Sequence, residues 1–136
     1  MAWVVDSCVL IDVAIDDPVF GNASAHCLQS RLHQGLVICP ITHVEIGPVF
    51  EGDRILQERF LEEAGIDWME PWISADTVLA HELWAKYILK KRQHKMRGRP
   101  IADVLIGAFA ARFEGLITRN AEDFRRLCPG LKLIGP

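Results

Sequence analysis

Short apolar runs alternate along this chain with longer segments of helical periodicity, and this alternation constrains the fold more than any other feature. The runs at 3–5, 36–39, 116–118 and 131–134, with a shorter one at 66–69, are predicted to be strands. They are mostly apolar, interrupted only by Asp67, Thr118 and Lys132, which is typical of strands covered on both faces. Short buried strands separated by helices indicate an α/β fold. We therefore predict a three-layer α/β/α sandwich around a central, mainly parallel sheet.

Helical segments are predicted between these strands, at 8–15, 23–33, from about residue 42, and at 55–64, 74–95, 101–113 and 122–127. Ser7 is expected to cap the first helix. Ala23, Cys27, Leu28 and Leu32 are predicted to form the buried face of the second helix. The Gly47-Pro48 pair should break the third helix. Residues 96–100 are expected to form a loop.

Length and composition fit one globular domain over residues 1–136. The chain has 136 residues, of which 50% are hydrophobic and 24% charged, and this excludes a disordered chain. Its 15 basic and 18 acidic residues give a net charge of −3. Any affinity for nucleic acid must therefore come from local charge rather than from the chain as a whole.

The location predicted for the protein is the cytoplasm. No basic residue precedes the apolar N-terminal run, so we expect no export signal, and no apolar stretch is long enough for a membrane helix. The cysteines have no C-x-x-C spacing and lie in apolar segments, which predicts free, mostly buried thiols in a reducing compartment. They are Cys8, Cys27, Cys39 and Cys128.

Four acidic residues occupy equivalent places, each just past a predicted strand or near the start of a predicted helix. They are Asp6, Glu45, Asp103 and Asp123. Ligands of parallel α/β sheets bind at the carboxyl ends of the strands, so we expect these acids to converge there. Clustered carboxylates repel one another unless a cation joins them, and their hard oxygen atoms suit Mg²⁺ or Mn²⁺.

Each acid also has a purely structural interpretation. Thr42 and Glu45 match the T-x-x-E capping box, and Asn120 with Asp123 fits a helix cap followed by an acid at the third helical position. Asp103 also fits a residue that complements the helix dipole. The acid after the first strand is harder to explain in this way, because a buried carboxylate needs partners. Taken together, the four acids favour a functional site.

Four motifs occur in this order along nearly the whole chain: VVDSCVLID, ITHVEI, PIADVLIGAFA and LITRNAEDF. In this order and spacing they are similar to the motifs of PIN-domain ribonucleases, most closely of VapC-type toxins of bacterial toxin–antitoxin pairs. The resemblance implies a PIN-like sandwich and Mg²⁺- or Mn²⁺-dependent hydrolysis of single-stranded or loop RNA, with 5′-phosphate and 3′-hydroxyl products. It also implies an antitoxin protein as partner and a homodimer.

The resemblance also assigns roles to individual residues. It implies that the catalytic and metal-binding acids are Asp6, Glu45, Asp103 and Asp123. The polar residues that it implies around them, orienting the acids or a metal-bound water, are Ser7, Thr118 and Asn120. Two features depart from the family pattern: Asn120 stands where many relatives have Asp, and Gly47-Pro48 follows the second acid closely. Both concern the number of metal ions rather than the activity.

A segment from Leu83 to Ala102 lacks acidic residues and holds seven of the fifteen basic ones. Such a run is more often a solvated helix face. Here it leads into the predicted acid site, which favours contacts with RNA phosphates. The residues predicted to make them are Lys90, Lys91, Arg97 and Arg99.

Two other functions compete with the ribonuclease. A PIN-like module that binds RNA or protein without cutting would be expected to lack one of the core acids. A phosphoryl-transfer receiver or phosphatase would be expected to carry a second Asp near Asp6 and a Lys after the strand at 116–118, and this chain has neither. The histidines show no zinc spacing, and Ser7 lacks a G-x-S-x-G context.

Overall fold

The computed structural model describes residues 1–94 and 100–136, with side chains for all of these except 92–94. Its centre is a five-stranded sheet in which every strand pair is parallel, in the order β3-β2-β1-β4-β5. The strands are β1 (Trp3–Val5), β2 (Leu36–Val37), β3 (Ile66–Asp67), β4 (Gly115–Ile117) and β5 (Leu133–Ile134). The first strand of the chain thus lies in the middle, with Trp3 paired to Leu36 and to Gly115.

The described residues form seven α-helices around this sheet: α1 (Ser7–Ala14), α2 (Gly21–Arg31), α3 (Pro40–Glu45), α4 (Arg54–Glu63), α5 (Ser74–His94), α6 (Ile101–Ala110) and α7 (Ala121–Leu127). Short 3-10 helices follow α2 at Leu32–Gln34 and α3 at Gly47–Phe50. Gly47-Pro48 does end the third helix, as predicted. No helix in the described ranges combines the length and apolarity needed to cross a membrane.

Successive strand residues enter two separate cores, one on each side of the sheet. Val4 and Leu116 pack with α5, α6 and α7 on one side, while Trp3, Val5 and Ile117 pack with α1, α2 and α4 on the other. The central residues of β1 and β4 are fully buried, as expected for strands covered on both faces. The predicted three-layer α/β/α sandwich is therefore confirmed, with a sheet that is wholly rather than mainly parallel.

Several predicted boundaries were wrong at the helix ends. Ser7 is the first residue of α1, and Asp6 caps that helix by accepting a hydrogen bond from the Ser7 backbone N–H. On α2, Ser24 is buried in place of Ala23, because its hydroxyl donates to the buried carboxylate of Asp12. Leu32 is 46% exposed, because the helix has tightened into a 3-10 turn at that point.

Helix α6 approaches α7 so closely that only glycine fits at one position. A Cβ on Gly107 would overlap the sulfur of Cys128 just beyond α7. All four cysteines are free, and all but Cys8 are buried, as predicted. The contact brings the helices that carry Asp103 and Asp123 together.

Two buried ion pairs join distant parts of the chain. Asp12 on α1 accepts two hydrogen bonds from Arg119, at 2.7 and 3.0 Å, and Arg119 lies 4.0 Å from the ring centre of Phe20. Asp76 on α5 accepts two from Arg112, at 2.6 and 2.9 Å. Both carboxylates are almost completely buried, so each depends on its arginine for compensation of its charge.

Candidate active site

Asp6 stands at the carboxyl end of the central strand and is 2% exposed. Its Oδ1 accepts a hydrogen bond from the Ser7 backbone N–H at 2.8 Å. Its Oδ2 accepts from the hydroxyl of Thr118 at 2.7 Å and from the thiol of Cys8 at 3.3 Å. These donors fix the orientation of the carboxylate and satisfy the charge that burial would otherwise penalise.

Thr118 links the two strand ends at the middle of the sheet. Its hydroxyl donates to Asp6, and its oxygen accepts the backbone N–H of Asn120 at 2.9 Å. Since the hydroxyl has one proton, this second contact leaves it committed to the carboxylate. Asn120 occupies the N-cap position of α7, but its side chain makes no capping hydrogen bond. The cap interpretation of its side chain was therefore wrong.

Glu45 is the last residue of α3, and it lies near Asp6 and Ser7. Burial is the main cause that raises the pKa of its carboxyl above the ordinary value. A hydrogen bond from the Ser7 side chain opposes this shift, and the charge of Asp6 adds to it. The helix begins at Pro40, so Thr42 is an internal helical residue and the capping-box interpretation was wrong. Its hydroxyl is buried and has no hydrogen-bond partner in the described part of the chain.

Asp103 lies in the first turn of α6 and is the electrostatic centre of the group. The pKa of its carboxyl is raised from 3.8 to about 6, first by burial and then by the charges of Asp6, Glu45 and Asp123. Those three residues come from three other segments of the chain. The acids predicted to converge at the sheet edge do therefore act on one another electrostatically.

Asp123 is the most loosely held of the four acids. It lies in the first turn of α7, and its side chain is 51% exposed. Its Oδ1 accepts a hydrogen bond from Nη2 of Arg126, one turn further along the helix, at 2.7 Å. A basic residue thus reaches the acid group from the same helix.

The chemistry of this donor set fits a hard divalent cation, because it consists of carboxylate oxygens whose charges repel one another. Within residues 1–94 and 100–136, however, no three His, Cys, Asp or Glu side chains form a group that is ready to hold a metal ion. The four acids share one electrostatic environment without forming a closed coordination shell.

The predicted basic segment is described only in part. Lys90 is exposed on α5 and Lys91 is half-buried there. Arg97 and Arg99 lie outside the described residues.

Two residues that contact the acids were not predicted from the sequence. Cys8 has a pKa raised to about 11 by burial and by Asp6, so its thiol remains a hydrogen-bond donor. Arg126 had a usable signal, since it is spaced i,i+3 from Asp123.

Fold and site together define a class of α/β proteins with a parallel sheet, helices on both faces and acids at the carboxyl edge of the central strands. The PIN-like sandwich belongs to this class, and the chain has that fold. A solved structure with the same fold is that of VapBC2 from Rickettsia felis bound to a DNA fragment from their promoter. The TM-score is 0.68 at 17% sequence identity, over 99% of this chain and 98% of that one. No protein-family model and no curated protein matches the sequence.

Proposed function

We propose that the chain is a PIN-domain endoribonuclease that hydrolyses RNA with Mg²⁺ or Mn²⁺, the toxin of a toxin–antitoxin pair. The observation that carries this proposal is the environment of Asp103, where three further carboxylates from separate segments act on one half-buried acid. Such an arrangement costs folding free energy unless a cation joins the charges. Such a loss of folding free energy is typical of functional sites, where the clustered charges serve catalysis.

In this proposal Asp6, Glu45 and Asp103 hold the ion, and Asp123 contributes from the exposed side. The bound ion would supply a water of lowered pKa and would neutralise charge on the phosphate. Thr118 and the Ser7 backbone N–H fix the carboxylate at the end of β1. The Ser7 hydroxyl donates to the same carboxylate at 3.5 Å. These polar residues therefore act by positioning, and the acids act on the ion.

Mg²⁺ or Mn²⁺ is expected to stabilise the folded protein, because either ion relieves the repulsion around Asp103. At about 100 times its dissociation constant a ligand adds about 2.7 kcal/mol to the free energy of unfolding. Thermal unfolding in Mg²⁺, in Mn²⁺ and in NaCl of equal ionic strength measures this effect. Equal melting temperatures in all three would contradict the metal site.

The intact acids favour catalysis over the alternative of an inactive RNA- or protein-binding module. Asp6, Glu45 and Asp103 are all present, and the charges of Asp6 and Glu45 contribute to the raised pKa of Asp103. Incubation of total RNA with the protein, with and without each metal, distinguishes the two functions. Metal-dependent cleavage supports the enzyme, while metal-independent binding without cleavage supports the module.

We also propose an antitoxin partner, which the toxin–antitoxin structure from Rickettsia felis supports. A guanidinium group matches a carboxylate with two hydrogen bonds, so an Arg or Lys of the partner is expected to reach the acids. Replacing Asp6 and Asp103 with Asn should then weaken binding of the partner at least tenfold, as measured by titration calorimetry. Unchanged affinity would place the inhibitory contact on another surface.

A homodimer is the remaining part of the proposal, and an apolar groove beside α5 supports it. This groove encloses about 470 Å³, and its lining includes Trp72, Trp84, Ile101 and Leu105. Exposed apolar surface of this kind often marks a site of protein–protein contact, because its burial by a partner is favourable. Light scattering on the purified chain should give twice the chain mass, and a single-chain mass at high concentration would contradict the dimer.

A further inference from the structure

A groove between α5 and α7 combines a buried apolar floor with an exposed basic rim. It encloses about 290 Å³. Tyr87 and Leu127 are buried in its floor. Its exposed basic side chains are Lys86, Lys90 and Arg126. No acidic residue lines it among the described residues. In a chain with a net charge of −3, this local excess of positive charge is not a by-product of composition.

Arg126 connects the groove to the four acids of the candidate active site. Its guanidinium donates to Asp123 at 2.7 Å while its side chain lines the groove. Asp123 in turn acts electrostatically on Asp103. The basic rim therefore begins at the residue that pairs with one of the four acids.

We propose that this groove binds a nucleotide of single-stranded RNA that flanks the phosphate to be cut. The base contacts the apolar floor formed by Tyr87 and Leu127, and adjoining phosphates contact Lys86, Lys90 and Arg126. The proposal deepens the proposed function, since it takes the neighbouring acids to be the cleavage site. It adds the residues that select an unpaired strand.

The combination of floor and rim favours single-stranded nucleic acid over other anionic partners. Proteins that hold such strands track the backbone with basic side chains and accommodate unstacked bases on apolar or aromatic surfaces. A base within a duplex is stacked and paired, so it does not reach a recessed floor. An acidic peptide would also pair with the rim, so an acidic polymer is included in the test as a competitor.

The test measures binding of a short fluorescent oligouridylate to the full chain in chelator, where no metal-dependent cleavage occurs. The double variant Lys86→Ala/Arg126→Ala should bind about tenfold more weakly, and the slope of log K against log salt should fall by about 1.4 for two lost phosphate contacts. Arg125→Ala is the control for the Arg126 substitution, because it removes one positive charge from the adjacent, exposed position of α7 and does not line the groove. It should leave the slope unchanged. The single variant Arg126→Lys keeps the charge and should retain most of the wild-type affinity for the oligouridylate.

Two further ligands test the floor. An abasic strand of the same length should bind the wild type more weakly than the oligouridylate, and should be less sensitive to competition by free uridine nucleotides. A duplex of equal length should bind no better than the abasic strand. If polyglutamate of equal charge competes as well as the oligouridylate, the groove is a docking surface for an acidic segment and the proposal is wrong.

The failure of this inference is distinguishable from the failure of the proposed function. Equal salt-dependence slopes for the wild type and the double variant contradict RNA binding in the groove, even if the wild type cleaves RNA with metal. Groove-dependent binding without metal-dependent cleavage upholds the groove and overturns the nuclease.

Discussion

Replacing Asp103 with Asn is expected to lower metal-dependent RNA cleavage by several orders of magnitude while the fold is retained. Asn preserves the size of the side chain and removes the charge at the centre of the acid group. A residue that only complemented the dipole of α6 would contribute about 0.3–1 kcal/mol to stability and nothing to cleavage. Cleavage of total RNA in Mg²⁺ and in Mn²⁺ measures the loss.

The same variant is expected to be more stable than the wild type at neutral pH in chelator. Because the folded pKa of Asp103 is about 6 and its ordinary value is 3.8, the folded protein binds this proton more tightly than the unfolded chain does. Wild-type stability therefore falls as pH rises through this window. The full difference corresponds to about 3 kcal/mol, and solvent around this half-buried group reduces the expected gain to about 1 kcal/mol.

Glu122→Gln is the control for both measurements. Glu122 is an exposed acid in the first turn of α7, next to Asp123 but not among the charges that act on Asp103. It should change neither cleavage nor the pH dependence of stability. Full RNA cleavage by Asp103→Asn would contradict the proposed mechanism, whatever the result of the stability measurement.

Removing Arg119 is expected to have the largest effect on stability, a loss of about 3–5 kcal/mol in the free energy of unfolding. Arg119→Ala leaves the carboxylate of Asp12 buried with only the Ser24 hydroxyl as a side-chain donor among the described residues. Urea unfolding at neutral pH measures the loss. Because Arg119 lies between Thr118 and Asn120, the variant should also disturb the support of the first acid.

Arg54→Ala provides the comparison for a surface pair. Arg54 is 69% exposed, and its partner Glu58 keeps a second contact with His43 at 2.9 Å. A pair with an exposed member contributes about 0–1 kcal/mol. Equal unfolding midpoints for Arg54→Ala and Arg119→Ala would mean that the buried pair stabilises the fold no more than a surface pair does.

The sequence predicted β1, β2 and β4 well because each is a short apolar run whose residues are all buried. The edge strands β3 and β5 are shorter than predicted and only partly buried. It predicted the places of three acids, because Asp6 follows a strand and Asp103 and Asp123 lie in the first turns of helices. The fourth acid, Glu45, was expected near the start of a helix but ends α3. The start of α3 was placed too late, although Pro40 at the first helical position is a recognised start signal. The Asp12–Arg119 pair had no local signal, because its partners are 107 positions apart. Only the order of strands in the sheet brings them together.

That strand order also ties the site to the making of the protein. The carboxylate of Asp6 is held by Thr118, 112 positions further along the chain, and the strand that carries Asp6 to its place is paired on one side with β4. A ribosome must therefore have synthesised the chain through Thr118 before the first acid acquires this hydrogen bond. Nascent chains that already contain Glu45 and Asp103 still hold the first carboxylate only by its local contacts with Ser7 and Cys8. A cell translating this gene is thus exposed to an assembled acid site only when synthesis of the domain is almost finished.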